Sequence, residues 1–134
     1  MKKVGVFGSE YQADKQLVIR RLFEKLASLE AEVFVDRDFY LFLTDALNYE
    51  PAVSGILTSD EFDLDVALSL GGDGTFLRTA ARVNKQDIPI LGINTGRLGF
   101  LADVASKDIE DTLDELFKNY YKTEERTLLR LHTE

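Results

Sequence analysis

Apolar positions follow two spacings along the chain, and the alternation of the two predicts alternating strands and helices. Short runs that are almost continuously apolar predict strands, and these runs are residues 4–7, 33–35, 65–70 and 88–93. Apolar residues three and four positions apart predict one buried face of a helix. Four such faces occur: Ile19, Leu22, Phe23, Leu26 and Leu29; Phe39, Phe42, Leu43, Ala46 and Leu47; Leu77, Ala80 and Ala81; and Ile109, Leu113, Leu116, Phe117 and Tyr120.

This order of elements predicts an α/β fold. Nearly uniform apolar strands that alternate with helices are typical of a parallel, Rossmann-like (doubly wound) sheet with helices on both faces. Ligands of such sheets bind beyond the carboxyl ends of the strands. Residues 48–64 contain Pro51, Gly55 and several acids, and we expect a loop there.

The domain organisation follows from the end of the pattern. Residues 1–123 are predicted to form the α/β nucleotide-binding domain. Residues 125–131 read as a strand without a following partner element, so we expect residues 124–134 to be the first strand of a second, β-rich domain.

Composition narrows the class of protein. A length of 134 residues fits one domain, and a net charge of −8 argues against a nucleic-acid partner, which would need a basic face. The absence of cysteine excludes disulfides and thiolate metal sites. No apolar run approaches the roughly 20 residues of a membrane helix. The apolar segment at the start of the chain is too short, and is followed too soon by polar residues, to be a signal peptide. We therefore expect a cytoplasmic protein with no membrane partner.

The sequence GGDGT at residues 71–75 is the strongest candidate for chemistry. Its glycines allow a close approach of the backbone to a ligand. The loop joins a predicted strand to a predicted helix, so its N–H groups and the helix N-terminus point toward a volume that suits a phosphate. Asp73 is the only acid in the loop, and an ionised aspartate can accept the proton of a hydroxyl group during phosphoryl transfer. Helix capping and turn formation are the alternative explanation of the same residues.

Two motifs together resemble a known family. GGDGT is similar to the signature shared by NAD kinases and by the diacylglycerol and sphingosine lipid kinases. The sequence LGINTGRLGFL at residues 91–101 closely resembles the NAD kinase motif GxNxGxLGFL, and the separation of the two motifs is also similar. The resemblance covers essentially the whole chain and favours the NAD kinase branch.

The resemblance implies a reaction and a set of site residues. Asp73 matches the general base that deprotonates the 2′-hydroxyl of the adenosine ribose of NAD. The implied donor is ATP with Mg²⁺, although some relatives use polyphosphate, and family members are homo-oligomers. The implied ligand-binding residues are Gly71, Gly72, Gly74, Thr75, Phe76, Arg78 and Asn94. The family's Asn-Glu/Asp motif and its β-rich domain do not occur in the 134 residues, so the site here is half a site.

Several of these residues have ordinary structural explanations. Arg78 follows Gly74 by four positions and shares its helix face, but it would otherwise be a solvated helix arginine. Asn94 is equally explained as a turn residue that binds its own backbone. Gly8 and Ser9 end the first strand and are candidates for the donor phosphates or for a plain turn. His132 is the only histidine, so a zinc site is not expected.

Three functions remain open from the sequence. The first is an NAD kinase with Asp73 as base. The second is a lipid kinase of the same superfamily, which the second motif and the lack of a membrane-docking helix disfavour. The third is a nucleotide-binding module without turnover.

Overall fold

The computed structural model describes residues 3–8, 16–59, 62–83, 86–94, 104–105 and 108–119. The elements in chain order are β1 (Lys3–Gly8), α1 (Gln16–Ser28), β2 (Glu32–Asp36), α2 (Arg37–Asp45), β3 (Gly55–Leu57), β4 (Val66–Gly71), α3 (Asp73–Val83), β5 (Ile90–Asn94), β6 (Val104–Ala105) and α4 (Ile109–Asn119). Tyr120, the strand predicted at residues 125–131 and the predicted second domain lie outside the described residues.

The six described strands belong to one parallel sheet in the order β3-β2-β1-β4-β5-β6. This confirms the predicted doubly wound α/β fold. The chain runs outward from β1 toward β3 and, after returning to β4, outward again toward β6. The direction therefore reverses between β1 and β4, and a crevice for ligands is expected at the carboxyl ends of these two strands.

Side chains alternate between the two faces of the sheet, and helices cover both faces as predicted. On one face, Val66, Leu68 and Leu70 of β4 share a core with residues of α1, α2 and α4. On the other face, Phe76 and Val83 of α3 pack in a second, smaller core. Among the helices that the structure describes, none is both long and apolar enough to cross a membrane.

The predicted buried stripe of α3 was wrong at two of its three residues, whereas Ala80 is partly buried against the second core. Leu77 is 58% exposed and Ala81 is exposed. The buried residues of α3 are instead Thr75, Phe76, Thr79 and Val83. Two of these are threonines, which a purely apolar pattern omits. Burial of Thr79 is possible because its hydroxyl donates a hydrogen bond to the carbonyl oxygen of Thr75 (2.8 Å).

The loop predicted at residues 48–64 was also partly wrong, because it contains the short strand β3. This strand lies at the edge of the sheet and pairs with β2, with Gly55 beside Phe34 and Leu57 beside Asp36. Only three residues pair, and one is a glycine, so no alternating pattern was available to predict it. The two-residue strand β6 was missed for the same reason.

Candidate active site

The fold brings the predicted loops to one edge of the sheet. Gly71, the last residue of β4, lies in register with Asn94, the last residue of β5. Gly8, at the end of β1, lies in register with Leu70 of β4. The carboxyl ends of β1, β4 and β5 thus adjoin at the crevice, and the glycine-rich loop begins there.

Two neighbouring glycines of the loop have different surroundings. Gly71 has a φ of +157°, and a Cβ atom there would lie 2.5 Å from Thr75 Oγ1. Glycine is therefore required at position 71 so that Thr75 can pack against the loop. At Gly72, no heavy atom lies within 4 Å of the position that a Cβ atom would take. The backbone is thus open to an incoming group at Gly72.

Asp73 is the first residue of α3 and is partly buried. The N–H of Phe76 donates to the carbonyl oxygen of Gly72 (3.0 Å), which makes Gly72 the capping residue of the helix. The alternative that Asp73 serves as the N-cap therefore does not describe this helix. An acid in the first turn still interacts favourably with the helix dipole, and the role of Asp73 as a base stays a prediction.

Thr75 and Arg78 lie together beside the loop. Thr75 is only 5% exposed, and its hydroxyl accepts a hydrogen bond from Arg78 Nη2 (3.3 Å). Arg78 Nη1 lies 3.5 Å from the position of a Cβ atom on Gly74. The guanidinium group therefore lies over the first turn of α3, on the helix face that the sequence predicted. Arg78 is nevertheless exposed to solvent. Its contact with a ligand stays a prediction.

Phe76 differs from the other predicted site residues. Its side chain is 2% exposed and belongs to the core under α3, together with Phe7 and Ile90. This packing accounts for Phe76 without a ligand, and the predicted contact with a ligand would need the ring to reach beyond that core. Ser9 and His132 lie outside the described residues.

A cleft that the sequence did not predict lies beyond the ends of β2 and β3. Its volume is about 470 Å³, and it is lined by Asp36, Arg37, Asp38, Leu57, Thr58, Ser59 and Arg82. These residues come from three separate segments, so no contiguous motif marks them. The one local signal was an aspartate between a predicted strand and a predicted helix, which is an N-cap pattern.

Arg82 holds the three segments of this cleft together. It forms an ion pair with Asp36, and its Nη2 donates to the carbonyl oxygen of Ser59 (3.3 Å). The guanidinium carbon also lies 5.0 Å from the centroid of the Phe7 ring. Asp36 in turn caps α2 by accepting from the N–H of Phe39 (3.3 Å). The cleft is therefore preformed by contacts within the protein.

Within the part of the chain that the structure describes, no group of three or more histidine, aspartate or glutamate side chains could hold a metal ion. At the loop, Asp73 is the acid that could share an ion with phosphates.

Comparison with known proteins agrees with the geometry. Residues 14–121 match the family model of the ATP-NAD kinase N-terminal domain. An NAD kinase of Bacteroides fragilis is 46% identical over 129 residues, which cover 96% of this chain and 44% of the relative. An NAD kinase of Porphyromonas gingivalis is 37% identical over 131 residues, which cover 98% of this chain and 46% of the relative.

The fold also resembles a solved structure. A crystal structure of yeast NADH kinase complexed with NADH superimposes with a TM-score of 0.73 and 19% identity, over 90% of this chain and 39% of that one. The chain spans less than half the length of the relatives it matches. Because the family model covers well over half of the residues, the chain belongs to the family of ATP-NAD kinase N-terminal domains.

Proposed function

We propose that the protein that carries this chain is an NAD kinase. It transfers the γ-phosphoryl group of ATP to the 2′-hydroxyl of the adenosine ribose of NAD and forms NADP. The observation that carries the proposal is the GGDGT loop at the reversal point of the sheet, with open space in front of Gly72 and Asp73 in the first helical turn. Membership of the family and the names of the relatives support it.

The loop supplies the phosphate cradle. The N–H groups at the start of α3 point beyond the carboxyl edge of the sheet, where helix N-termini attract phosphate. Gly71 and Thr75 fix the path of the loop, and Gly72 leaves room for the phosphates. Gly74 and Arg78 lie next to that space, so they are assigned to the dinucleotide.

Asp73 is assigned as the general base. The 2′-oxygen of NAD forms a bond to the γ-phosphorus, and the bond between that phosphorus and the β–γ bridging oxygen breaks, so ADP leaves. The proton of the 2′-hydroxyl passes to the carboxylate of Asp73. Because phosphoryl transfer passes through a loose transition state, the carboxylate takes this proton late.

Asn94 and Phe76 complete the proposed set. Asn94 lies beside Gly71 across the sheet and is therefore assigned to the same bound nucleotide. Phe76 is assigned an indirect role, because its buried ring packs in the core and supports the start of α3.

The loop also suits Mg²⁺ delivered with the donor. Mg²⁺ is usually held by one or two carboxylates together with substrate phosphates, and Asp73 is such a carboxylate. When bound, the ion would neutralise charge on the phosphates.

The proposal extends to the setting of the enzyme. We expect it in the cytoplasm as a homo-oligomer, with NAD and ATP as partners. The net charge of −8 favours neither a nucleic acid nor an anionic surface as a partner.

The test is an assay of the complete protein with Mg-ATP and NAD, in which NADP is measured and the position of the new phosphate is determined by ³¹P NMR. We expect a 2′-phosphate. Binding of nucleotide without NADP would support the binding module instead, and phosphorylation of diacylglycerol in a parallel reaction would support the lipid kinase.

A further inference from the structure

Ser69 carries a buried hydroxyl group that has no role in the proposed function. It lies in β4, two residues before Gly71, and is only 2% exposed. Among the described residues, no group forms a hydrogen bond with its Oγ atom. This burial costs stability, because the hydroxyl group loses its bonds with water and none replaces them. Such groups are rare in native proteins, and each one requires an explanation.

The side chain of Ser69 faces helix α3. Side chains of a strand alternate between its two faces, and Ala67, two residues earlier, lies in the core under α3. The residues beside Ser69 in the sheet are Phe7 of β1 and Gly92 of β5. One of these has a ring of carbon atoms and the other has no side chain. A side-chain partner for the hydroxyl group must therefore come from α3.

Helix α3 turns a second buried hydroxyl group toward the same face of β4. Thr75 is 5% exposed, and its Oγ1 atom lies 2.5 Å from the position of a Cβ atom on Gly71. Because Ser69 and Gly71 are two positions apart, they share one face and are about 6.6 Å from each other along the strand. Thr75 therefore contacts β4 one same-face position beyond Ser69.

The hydrogen bond between Arg78 and Thr75 is one that a ligand can replace. Arg78 Nη2 donates to Thr75 Oγ1 at 3.3 Å, which is longer than most bonds of this type. Arg78 is exposed, so its guanidinium group can turn to a phosphate and form a stronger, charge-assisted bond. The oxygen of Thr75 then needs another donor from within the protein, because its burial keeps water away.

We propose that Ser69 is a positioning residue that replaces Arg78 as the donor to Thr75 when Arg78 binds a phosphate of the dinucleotide. A small approach of the first turn of α3 to β4 lets the Ser69 O–H donate to Thr75 Oγ1. Thr75 then stays against Gly71, and the glycine-rich loop keeps its path. Ser69 acts through Thr75 and contacts no substrate. The inference rests on the proposed function, from which it takes the assignment of Arg78 to the dinucleotide.

A double-variant cycle on stability tests this exchange without a ligand. In the complete parent protein, Arg78 donates to Thr75, so Ser69→Ala should leave the midpoint of urea unfolding unchanged or raise it. Arg78→Ala removes that donor, and Ser69 should take its place. In the Arg78→Ala background, Ser69→Ala should therefore lower the equilibrium constant of folding about two- to tenfold, the factor for one neutral hydrogen bond.

Two results of the cycle would overturn the inference. An equal or larger loss in the parent background would show that Ser69 already has a lasting partner. No loss in either background would show that Ser69 does not pair with Thr75.

Calorimetry of NAD binding to the complete protein tests the link to the ligand. Ser69→Ala should raise the Kd about two- to tenfold, because the bound form loses the bond that replaces Arg78. In the Arg78→Ala background, Ser69 pairs with Thr75 both with and without NAD, so Ser69→Ala should leave the Kd unaltered. An unchanged Kd in the parent background, or the same rise in both backgrounds, would contradict the exchange.

Two controls separate the hydrogen bond from packing. Ser69→Cys keeps a side chain of similar size, but its thiol donates only weakly, so it should behave as Ser69→Ala does. Ala67→Ser adds a hydroxyl group one same-face position away, where it should lower stability and leave the Kd for NAD unchanged. A parent-like Ser69→Cys would assign the effect to volume, and an equal rise of the Kd in Ala67→Ser would assign it to the strand. Each of these results would contradict the inference.

The stability cycle and the NADP assay can fail separately. If NADP forms but the losses of Ser69→Ala and Arg78→Ala are additive, the proposed function stands and the role of Ser69 falls. If the cycle shows the expected coupling but no NADP forms, Ser69 keeps its role in the loop and the proposed function falls.

Discussion

The two concave regions at the carboxyl edge of the sheet are built in opposite ways. The glycine-rich loop is five consecutive residues, and its shape comes from the backbone and from one side chain, Thr75, that packs against Gly71. The cleft is built by side chains from three segments that Arg82 holds together. A backbone site is damaged when atoms are added to it, whereas a side-chain site is damaged when its anchoring groups are removed.

Among substitutions that keep Asp73, the largest effect is expected from Gly72→Ala. The added methyl group enters open space, so the fold should tolerate it, but the same space is the proposed place of the phosphates. We expect kcat/KM for ATP to fall about ten- to two-hundredfold, the range for one misplaced carbon in a binding site. Steady-state kinetics measures the loss of kcat/KM, and urea unfolding measures whether the fold is kept. An unchanged kcat/KM would contradict the prediction.

Gly71→Ala should act on stability instead. Its methyl group would lie 2.5 Å from Thr75 Oγ1, at a backbone φ of +157°. We expect a loss of about 1–3 kcal/mol in the free energy of unfolding, as for other overpacked positions. In the double variant Gly71→Ala/Thr75→Ala, the collision is removed. The double variant should therefore lose less stability than the sum of the losses of the two single variants. Strict additivity would contradict this packing.

The cleft should respond to removal of its anchor. Asp36→Ala loses both the cap of α2 and the ion pair with Arg82, and we expect it to lower the free energy of unfolding by about 1–2 kcal/mol. Asp36→Asn keeps a side chain that can cap the helix, so its loss should be smaller. Urea unfolding of both variants gives the order, and equal losses would assign the whole effect to the ion pair.

The smallest effect is expected from Glu110, which pairs with Arg21 of α1 and does not line the cleft. The hydrogen bonds and charge of Arg21 hold the pKa of this carboxyl group below its usual range. A lowered pKa in the folded protein means that the pair stabilises the fold above the ordinary pKa of glutamate and is lost as the pH falls through the lowered value.

Glu110→Gln should therefore lower the stability above the ordinary pKa of glutamate and leave it unchanged at the lowest pH, which flattens the acidic limb of a plot of stability against pH. More than a third of the Glu110 side chain is exposed, so the change should be slight. A loss of stability that is as large at the lowest pH as near neutral pH would contradict the assignment.

The same contrast explains what the sequence could predict. The glycine-rich loop was predictable because its residues are consecutive and follow a continuous apolar strand. The pairing of β4 with β5 placed Gly71 next to Asn94, which the sequence indicated only as two strand ends at one edge. The cleft was not predictable, because Asp36, Ser59 and Arg82 meet only after the sheet and α3 have packed.

Helix α3 shows a second limit. Its apolar residue Leu77 pointed to a buried stripe, but the buried face instead includes Thr75, which is fixed against Gly71. The loop thus sets which face of the helix is buried. Hydrophobic spacing alone cannot predict the burial of a threonine whose hydroxyl has a hydrogen-bond partner inside the fold. Phe76, Ala80 and Val83 also have the spacing of one helix face, so the apolar pattern alone did not decide between the two stripes.

The most direct test of the account compares the complete parent protein with its Asp73→Asn variant, by NADP formation from Mg-ATP and NAD and by NAD binding. The change removes the carboxylate and keeps the shape of the side chain. We predict that turnover falls by about 10²–10⁴-fold, the usual contribution of a general base, while NAD binds nearly as tightly as to the parent. Surviving turnover together with strongly weakened NAD binding would contradict the assignment of Asp73 as the base.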